Sequence, residues 1–400
     1  MGARSGLKVG IYFNARVGQG GLYQYALTLV DCLYRYTPDN DYFLYHATLE
    51  ELPLQLQAAN WHIIELPKEA IASRMVLEVL LNKLAQVGLK SPLRLIPQFR
   101  QIAKDPPDLM IYVKPTPHVF EWSYPAIFPI HDLQHRLRPE FPEVSDYGEF
   151  LRREFLYTNA IAKANGILVD SQTGKEDVLQ LYTAKESIIF SLPYIAPSFR
   201  ALKGKTFEQV KARYALPDSY FFYPAAFWLH KNHARLIRAL KQVEKEHGVG
   251  LQLVLSGSKQ REYKKLQALV EELQLGKKVH FIGFVEEEDL LFLYQHALAL
   301  VMPTFFGPTN IPVLEAWAAG CPVITSDIRG IREQVGDAGL LVDPEDVTAL
   351  ANVMWTLSQS QEKRALLIAK GTTRVNSWKP ENFGQRLGEI IKVVSLSIGK

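Results

Sequence analysis

The sequence predicts an α/β protein made of two Rossmann-like β/α/β domains that face a central cleft. Short apolar strands alternate with amphipathic helices, which is the pattern of parallel sheets covered by helices. The alternation begins at residues 7–13 and again at residues 220–223, and a proline-containing segment at 192–200 separates the two series. A chain of 400 residues is long enough for two such cores.

The central stretch of the second series is residues 303–327, which predicts loop, helix and strand directly after a buried strand. We expect the helix to begin after Asn310, a good N-cap residue, and to end at Gly320. A loop that opens at a helix N-terminus offers free N–H groups to a phosphate. Glu315 lies about one turn further in, where its oxygens could accept both hydroxyls of a ribose. The helix dipole alone also favours an acid there, so this residue leaves both interpretations open.

Composition and charge exclude several classes of protein. The net charge of +3 does not indicate a nucleic-acid partner, which usually requires a concentrated basic face. Cys32 and Cys321 provide neither a disulfide framework nor a metal-binding set, which fits a reducing compartment. The N-terminus has no apolar signal region, and no run reaches about 18 apolar residues. We therefore expect a cytoplasmic protein.

A glycine-rich turn follows the first strand and leads into the first helix. Such a turn brings backbone amides near an anion, and Gly20 and Gly21 are the residues that would do so. The alternative is a turn that only needs positive φ. As a dinucleotide fingerprint, Gly18-x-Gly20 fails because Tyr23 stands where a third glycine is required. This argues against an oxidoreductase that uses NAD.

Metal ligands are not indicated by the sequence. Asp39-Asn40-Asp41 follows a proline and precedes a strand, so we interpret it as a turn. No other cluster of Asp and His has the spacing of metal ligands, and we expect a mechanism without a metal or other cofactor.

Residues 80–104 combine basic and apolar side chains and contain no acidic residue. Three interpretations stay open: a surface that lies on anionic lipid at the inner membrane face, a site for an anionic acceptor, or a solvated basic face.

The string FGPTNIPVLEAWAAGCPV resembles the nucleotide-sugar segment of retaining glycosyltransferases of family 4, which have the GT-B fold. That family usually carries two glutamates eight positions apart, and Glu315 matches the second of them. The first would fall on Gly307 and is absent, as in a mannosyltransferase-like branch of the family. The resemblance covers most of residues 7–394.

The resemblance implies roles for further residues. His131 and Asp132 follow a predicted strand, where a neutral imidazole can contact the donor sugar and the carboxylate can fix its tautomer. Lys231 matches a lysine aimed at the diphosphate, whereas the arginine that accompanies it would fall on Ala226. His131, Lys231 and Glu315 are therefore the predicted catalytic residues. The residues predicted to bind the donor, besides Glu315, are Gly20, Gly21, Gly257, Gly283, Phe284, Val285, Thr309, Asn310 and Ile311. His135, close to His131, is expected to be an ordinary loop residue.

The function implied is transfer of a hexose, with retention of configuration, from a nucleotide sugar to a glycan, lipid or small-molecule acceptor. GDP-mannose is the favoured donor. Residues 1–195 would form the acceptor-side domain, 196–376 the nucleotide-sugar domain, and 377–400 a helix that crosses back to the first domain. A nucleotide-sugar epimerase, a phosphorylase and a non-catalytic nucleotide-sugar-binding protein are the alternatives, and the residues missing at Gly307 and Ala226 keep the last of these open.

Overall fold

A computed structural model describes residues 6–16, 20–46, 55–66, 102–196 and 205–398. Within these residues the strands form two sheets, and every strand pairing is parallel. The strands are β1 Lys8–Phe13, β2 Asp41–His46, β3 Trp61–Glu65, β4 Leu109–Tyr112, β5 Ala126–Ile130, β6 Gly166–Val169, β7 Ile189–Ser191, β8 Phe221–Pro224, β9 Leu253–Ser256, β10 Val279–Gly283, β11 Ala299–Met302, β12 Val323–Ser326 and β13 Leu340–Val342. The two predicted Rossmann-like domains are confirmed.

Helices cover both sheets. They are α1 Gly21–Tyr36, α2 His118–Glu121, α3 Gln134–Leu137, α4 Pro142–Ser145, α5 Glu149–Lys163, α6 Gln172–Leu181, α7 Phe207–Tyr214, α8 His233–His247, α9 Tyr263–Glu272, α10 Glu287–His296, α11 Ile311–Ala318, α12 Arg329–Val335, α13 Val347–Gln359, α14 Gln361–Asn376 and α15 Pro380–Ile398. Short 3₁₀ turns lie at Asp146–Gly148, Glu186–Ile188 and Leu229–Lys231. Central strands such as β4 and β11 are buried along their whole length, because helices cover both faces of a parallel sheet.

The strand order explains where a ligand can bind. It is β3-β2-β1-β4-β5-β6-β7 in the first sheet and β10-β9-β8-β11-β12-β13 in the second. In each sheet the order reverses beside the first strand of that domain, between β1 and β4 and between β8 and β11. Open parallel sheets bind ligands in the crevice at such a switch point, outside the carboxyl ends of the strands. The first crevice lies between the loops that follow β1 and β4, and the second lies between the loops that follow β8 and β11.

The two domains touch through segments that follow β5 and β6 in the first sheet and β11 and β12 in the second. Phe141 and Val144 of the first domain pack against Phe305 and Phe306 of the second in a small apolar cluster. At the other end of the contact, the carboxylate of Glu333 accepts hydrogen bonds from the amides of Gln172 and Thr173 at 2.7 and 2.8 Å. This carboxylate from the second domain therefore provides hydrogen-bond acceptors for the free N–H groups at the N-terminus of α6 in the first domain.

A second contact lies where the chain passes between the domains. The indole of Trp378 donates a hydrogen bond to the carbonyl of Pro193 at 2.9 Å, so the outgoing and returning segments are tied together. A groove of about 490 Å³ lies beside them, and its walls include Trp317, Trp378 and Pro380.

The last helix, α15, packs onto the first domain. Its apolar face, which includes Phe383, Leu387 and Ile390, is part of the core that surrounds β1 and α1. A Cβ atom on Gly384 would lie 2.6 Å from the Tyr36 side chain, so the absence of a side chain there permits the close approach of α15 to α1. Residues from the far end of the chain thus complete the first core.

The prediction that His135 is an ordinary loop residue is wrong. Its side chain is fully buried in α3 and forms hydrogen bonds with Glu154 and Tyr182 at 2.9 and 3.0 Å. Of residues 80–104, positions 80–101 lie outside the described residues, so lipid contact stays a prediction.

Within the described part of the chain, no helix has both the length and the apolar character needed to cross a membrane.

We predict that Phe383→Ala lowers the free energy of unfolding of the first domain by about 3–5 kcal/mol, because it leaves a cavity in a closed core. Val393→Ala on the same helix is the matched control. The Val393 side chain is 51% exposed, and its loss is expected to change stability by no more than about 0.5 kcal/mol. Denaturant unfolding of both variants measures the difference, and equal effects would contradict the packing of α15 on the first domain.

Candidate functional site

The N-terminus of α11 carries no side-chain cap. Asn310 occupies the N-cap position, as predicted, but its amide side chain donates to the carbonyl of Phe306 at 3.2 Å instead of accepting from the helix. Its backbone is held by Gln334, which accepts from the Asn310 N–H and donates to the Asn310 carbonyl, both at 2.9 Å. The amides of the first turn, which includes Ile311, are therefore left for an anionic ligand.

Glu315 lies one turn into the same helix and is buried. One carboxylate oxygen accepts a hydrogen bond from the Tyr294 hydroxyl at 2.7 Å. Burial raises the pKa of Glu315 to about 7, although the hydrogen bond from Tyr294 opposes this shift. Hydrogen bonds donated by the hydroxyls of a ligand, such as those of a ribose, would stabilise a desolvated carboxylate of this kind.

The N-terminus of α1 approaches that of α11 from the first domain. Gly20 caps α1 with a φ of 58° and supplies no side-chain hydrogen bond. A Cβ atom on Gly21 would lie 3.1 Å from the terminal carbon of Ile311, so glycine there permits the approach. Two helix N-termini, one from each domain, thus converge with the positive ends of their dipoles at the cleft.

Lys231 follows β8 on a rigid turn. Asn232 adopts a left-handed conformation with φ of 62°, and its side chain donates to the carbonyls of Pro303 and Pro344 at 2.8 and 2.7 Å. The Tyr223 hydroxyl donates to the Lys231 carbonyl at 3.1 Å. These bonds fix the backbone, while the Lys231 ammonium has no hydrogen bond or ion pair with any described residue.

Burial lowers the pKa of Lys231 to about 8, while the charges of Asp132 and Glu143 act in the opposite direction. The ammonium is therefore still mostly protonated at neutral pH. A partly desolvated cation of this kind favours an anionic ligand.

His131 follows β5 and faces Tyr25 and Tyr194. Its Nδ1 atom shares a hydrogen bond with the Tyr194 hydroxyl at 2.7 Å, and its Nε2 atom is buried without a partner among the described residues. Burial lowers the pKa of His131 to about 4, so the ring is neutral. The expectation that Asp132 fixes the tautomer is wrong, because that carboxylate is engaged by Arg153 and by the Gln134 amide at 2.8 and 3.0 Å. Nε2 is left free for a ligand.

Gly257 and Gly283, at the ends of β9 and β10, occupy positions where the local backbone geometry itself favours glycine. A Cβ atom on Gly257 would lie 2.3 Å from the carbonyl oxygen of Ala225, and its N–H donates to the carbonyl of Gly283 at 2.8 Å. Gly283 has a φ of 74°. Phe284 is 68% exposed, whereas the side chain of Val285 lies in the core. A role of these four residues in donor binding stays a prediction, and it concerns only their backbone atoms.

Asp170 is a site residue that the sequence reasoning missed. It follows β6, is buried, and accepts hydrogen bonds from the hydroxyls of Thr309, in the other domain, and Ser171. Burial raises the pKa of Asp170 to about 7 against these hydrogen bonds. The signal in the sequence was an acid directly after a buried strand, at the edge where ligands bind.

In the described ranges no group of three or more His, Cys, Asp or Glu side chains is arranged to hold a metal ion. Asp39 and Asn40 lie in a turn, as predicted, and the Asn40 side chain accepts from the Leu7 amide at 3.3 Å. Metal independence stays a prediction.

Comparison with known proteins identifies the second domain. Residues 205–374 match the family model described as glycosyl transferases group 1. The chain is 26% identical over 259 residues to O-antigen chain mannosyltransferase B of Escherichia coli, which covers 64% of this chain and 67% of that protein. It is also 26% identical over 255 residues to the O-antigen chain mannosyltransferase RfbU of Salmonella typhimurium, with the same coverage of both chains.

Solved structures share the whole fold. Sucrose-phosphate synthase from Thermosynechococcus elongatus superposes with a TM-score of 0.72 at 19% identity, over 98% of this chain and 99% of that chain. HepE from Anabaena, solved in complex with UDP-glucose, superposes with a TM-score of 0.71 at 16% identity, over 96% of this chain and 99% of that chain. At this identity the likeness shows the fold alone, which is the predicted GT-B arrangement.

We predict that Glu315→Gln flattens the pH dependence of stability. Because the folded-state pKa of Glu315 is raised from 4.5 to about 7, its contribution is fully present below 4.5 and is lost as the pH rises through 7. The neutral amide removes this loss, although Asp170 still contributes in the same direction. Melting temperatures between about pH 5 and 8 measure the effect.

The exposed Glu381→Gln is the control for this experiment and should keep the wild-type slope. A wild-type slope in Glu315→Gln as well would show that Glu315 is ionised in the folded protein throughout this range.

Proposed function

We propose that this chain is a glycosyltransferase that moves a hexose from a nucleotide-sugar donor to a carbohydrate or lipid-linked acceptor with retention of configuration. The match of residues 205–374 to the glycosyl transferases group 1 model and the likeness to O-antigen mannosyltransferases support the proposal. The observation that carries the proposal is the uncapped N-terminus of α11 above the buried carboxyl of Glu315. An anion site directly followed by an acceptor of hydroxyl hydrogen bonds matches the phosphate and ribose of a nucleotide.

In the proposed mechanism the diphosphate binds between the N-termini of α1 and α11. The Lys231 ammonium stabilises the charge that develops on the phosphate as the glycosidic bond breaks. Glu315 anchors the ribose and so positions the anomeric carbon, and the free Nε2 of His131 hydrogen-bonds a sugar hydroxyl. No metal or other cofactor is required in this scheme.

We propose that the acceptor attacks from the face that the leaving phosphate vacates and that this phosphate takes the proton of the acceptor hydroxyl. Contact between the domains excludes water and so limits hydrolysis of the donor. Proton NMR of the fresh product reports its anomeric configuration, and a product of opposite configuration to the donor would overturn retention.

Mannose is the sugar that we favour, because the relatives in Escherichia coli and Salmonella typhimurium are named as mannosyltransferases. GDP-mannose is the donor that the resemblance of residues 306–315 to the mannosyltransferase-like branch implies. A thermal-shift panel of GDP-mannose, UDP-glucose, UDP-N-acetylglucosamine, ADP-glucose and NADH tests this choice. A ligand at about a hundred times its Kd adds roughly 2.7 kcal/mol, or several degrees at roughly 2–4 °C per kcal/mol.

One clear shift that is lost in Glu315→Ala would identify the donor and support the site. A shift with NADH alone would overturn the proposal. Binding of a nucleotide sugar without any turnover, across a range of acceptors, would favour the non-catalytic alternative, which the absent side chains at Gly307 and Ala226 keep in view.

We predict that Lys231→Ala reduces turnover by roughly a hundredfold or more, because it removes a charge-assisted donor to the developing phosphate charge. Lys259→Ala is the matched control, since this exposed lysine follows the neighbouring strand β9 and packs on the Tyr263 ring at 5.0 Å. Release of nucleoside diphosphate is the measurement. Near-normal turnover in Lys231→Ala would contradict the assignment.

A further inference from the structure

The first domain places a carboxylate with one unpaired oxygen beside residues 303–310 of the second domain, the loop between β11 and α11 that we call the donor loop. Glu143 belongs to α4, and its side chain is 9% exposed. One oxygen, Oε1, accepts from the backbone N–H and the ring Nδ1 of His230, both at 3.1 Å. The other oxygen, Oε2, is buried and has no hydrogen-bond partner among the described residues. Buried carboxylate oxygens normally have donors, so this one calls for a ligand.

The charge state of Glu143 restricts what that ligand can be. Burial raises the pKa of Glu143, but the hydrogen bonds from His230 outweigh burial and hold the pKa below its ordinary value. The group is therefore an ionised carboxylate that only accepts hydrogen bonds. A phosphate oxygen cannot satisfy it, whereas a hydroxyl group can.

The position of Glu143 is fixed relative to the donor loop. The His230 ring stacks on Phe306 at 4.0 Å between centroids, and the His230 carbonyl accepts from the Phe305 amide at 2.8 Å. Gly307, the next residue, has no side chain, and its carbonyl accepts from the Gln134 amide group at 2.8 Å. The loop itself thus offers no polar side chain at 305–307, and the carboxylate beside it comes from the other domain.

Lys231 relates Glu143 to the proposed phosphate site. It is adjacent to His230 in the chain, and the negative charge of Glu143 favours its protonated form. Glu143 therefore lies near the ammonium that would bind the diphosphate. Since the hexose is attached to the terminal phosphate, the hydroxyl groups expected closest to this carboxylate are those of the sugar.

We propose that Glu143 binds the hexose of the donor, with Oε2 accepting hydrogen bonds from its hydroxyl groups. The inference rests on the proposed function and deepens it. The second domain binds the nucleotide, and a carboxylate of the first domain recognises the sugar, so sugar recognition is complete only where the two domains are in contact.

Calorimetric titration of Glu143→Gln with GDP-mannose and with GDP tests the proposal, and UDP-glucose with UDP provides a second pair of probes. The amide keeps the size of the side chain but replaces one acceptor oxygen and removes the charge. We expect the Kd of the nucleotide sugar to rise about tenfold or more, as for loss of a hydrogen bond to a charged group. The Kd of the bare diphosphate should stay within about twofold of the wild type, because the proposal assigns Glu143 to the sugar and not to the nucleotide.

Asp146→Asn is the control variant. Asp146 lies three residues along the chain and also reaches the second domain, through an ion pair with Arg261 at 3.2 Å, but both side chains are about half exposed. This variant should bind both probes as the wild type does. Glu143→Asp, which keeps the charge on a shorter side chain, should recover part of the affinity for the nucleotide sugar, and it serves as the test if Glu143→Gln does not fold.

Equal weakening of nucleotide sugar and diphosphate in Glu143→Gln would overturn the proposal, because Glu143 would then act only on the contact between the domains. Unchanged affinity for both would overturn it as well. A wild-type protein that binds neither probe of either pair would overturn the proposed function itself, which is a distinct outcome.

Discussion

The uncapped N-terminus of α11 is the constraint on which the rest of the site depends. Backbone N–H groups at a helix start need partners, and here the residue best suited to supply one, Asn310, is engaged with Phe306 and Gln334. The preceding loop is held from several sides, by Asp170 at Thr309, by Gln134 at Gly307 and by the apolar cluster around Phe305. These contacts keep an unsatisfied helix end in place, and most of them come from the first domain.

Burial shifts the pKa values of four residues at the site. Glu315 and Asp170 have pKa values raised to about 7, whereas His131 and Lys231 have theirs lowered, and in all four desolvation is the largest cause. Glu315, Asp170 and Lys231 titrate within about one unit of neutrality, so their charge responds readily to a partner. A ligand that brings hydroxyl donors to the acids and an anion to the lysine would stabilise their charged forms together. The site is therefore electrostatically prepared for a molecule that is anionic at one end and rich in hydroxyl groups elsewhere.

Local pattern predicted much of the architecture. The strand, loop and helix around Glu315, the end of that helix at Gly320 and the position of Lys231 before a helix are found where the sequence indicated, because apolar period, turn residues and helix caps are local signals. Contacts between the domains were not predictable in this way. Asp170 meets Thr309 across 139 positions and Glu143 meets His230 across 87, and no local pattern encodes such pairs. His135 shows the same limit, since its partners lie further along the chain: Glu154 is in α5, and Tyr182 directly follows α6.

The tie between Trp378 and Pro193 has a mechanical consequence. The chain passes from the first domain to the second and returns in α15, and the hydrogen bond joins these two crossings at one place. If the contacts at the cleft separate, this tie is the axis about which the domains would rotate, and a small angle at the crossings becomes a larger displacement at the cleft. Helix α11 extends from the cleft to the groove beside the crossings. Its N-terminus lies at the cleft, and Trp317, near its other end, lines the groove. A change in the width of that groove is therefore geometrically coupled to the separation of Gly21 and Ile311.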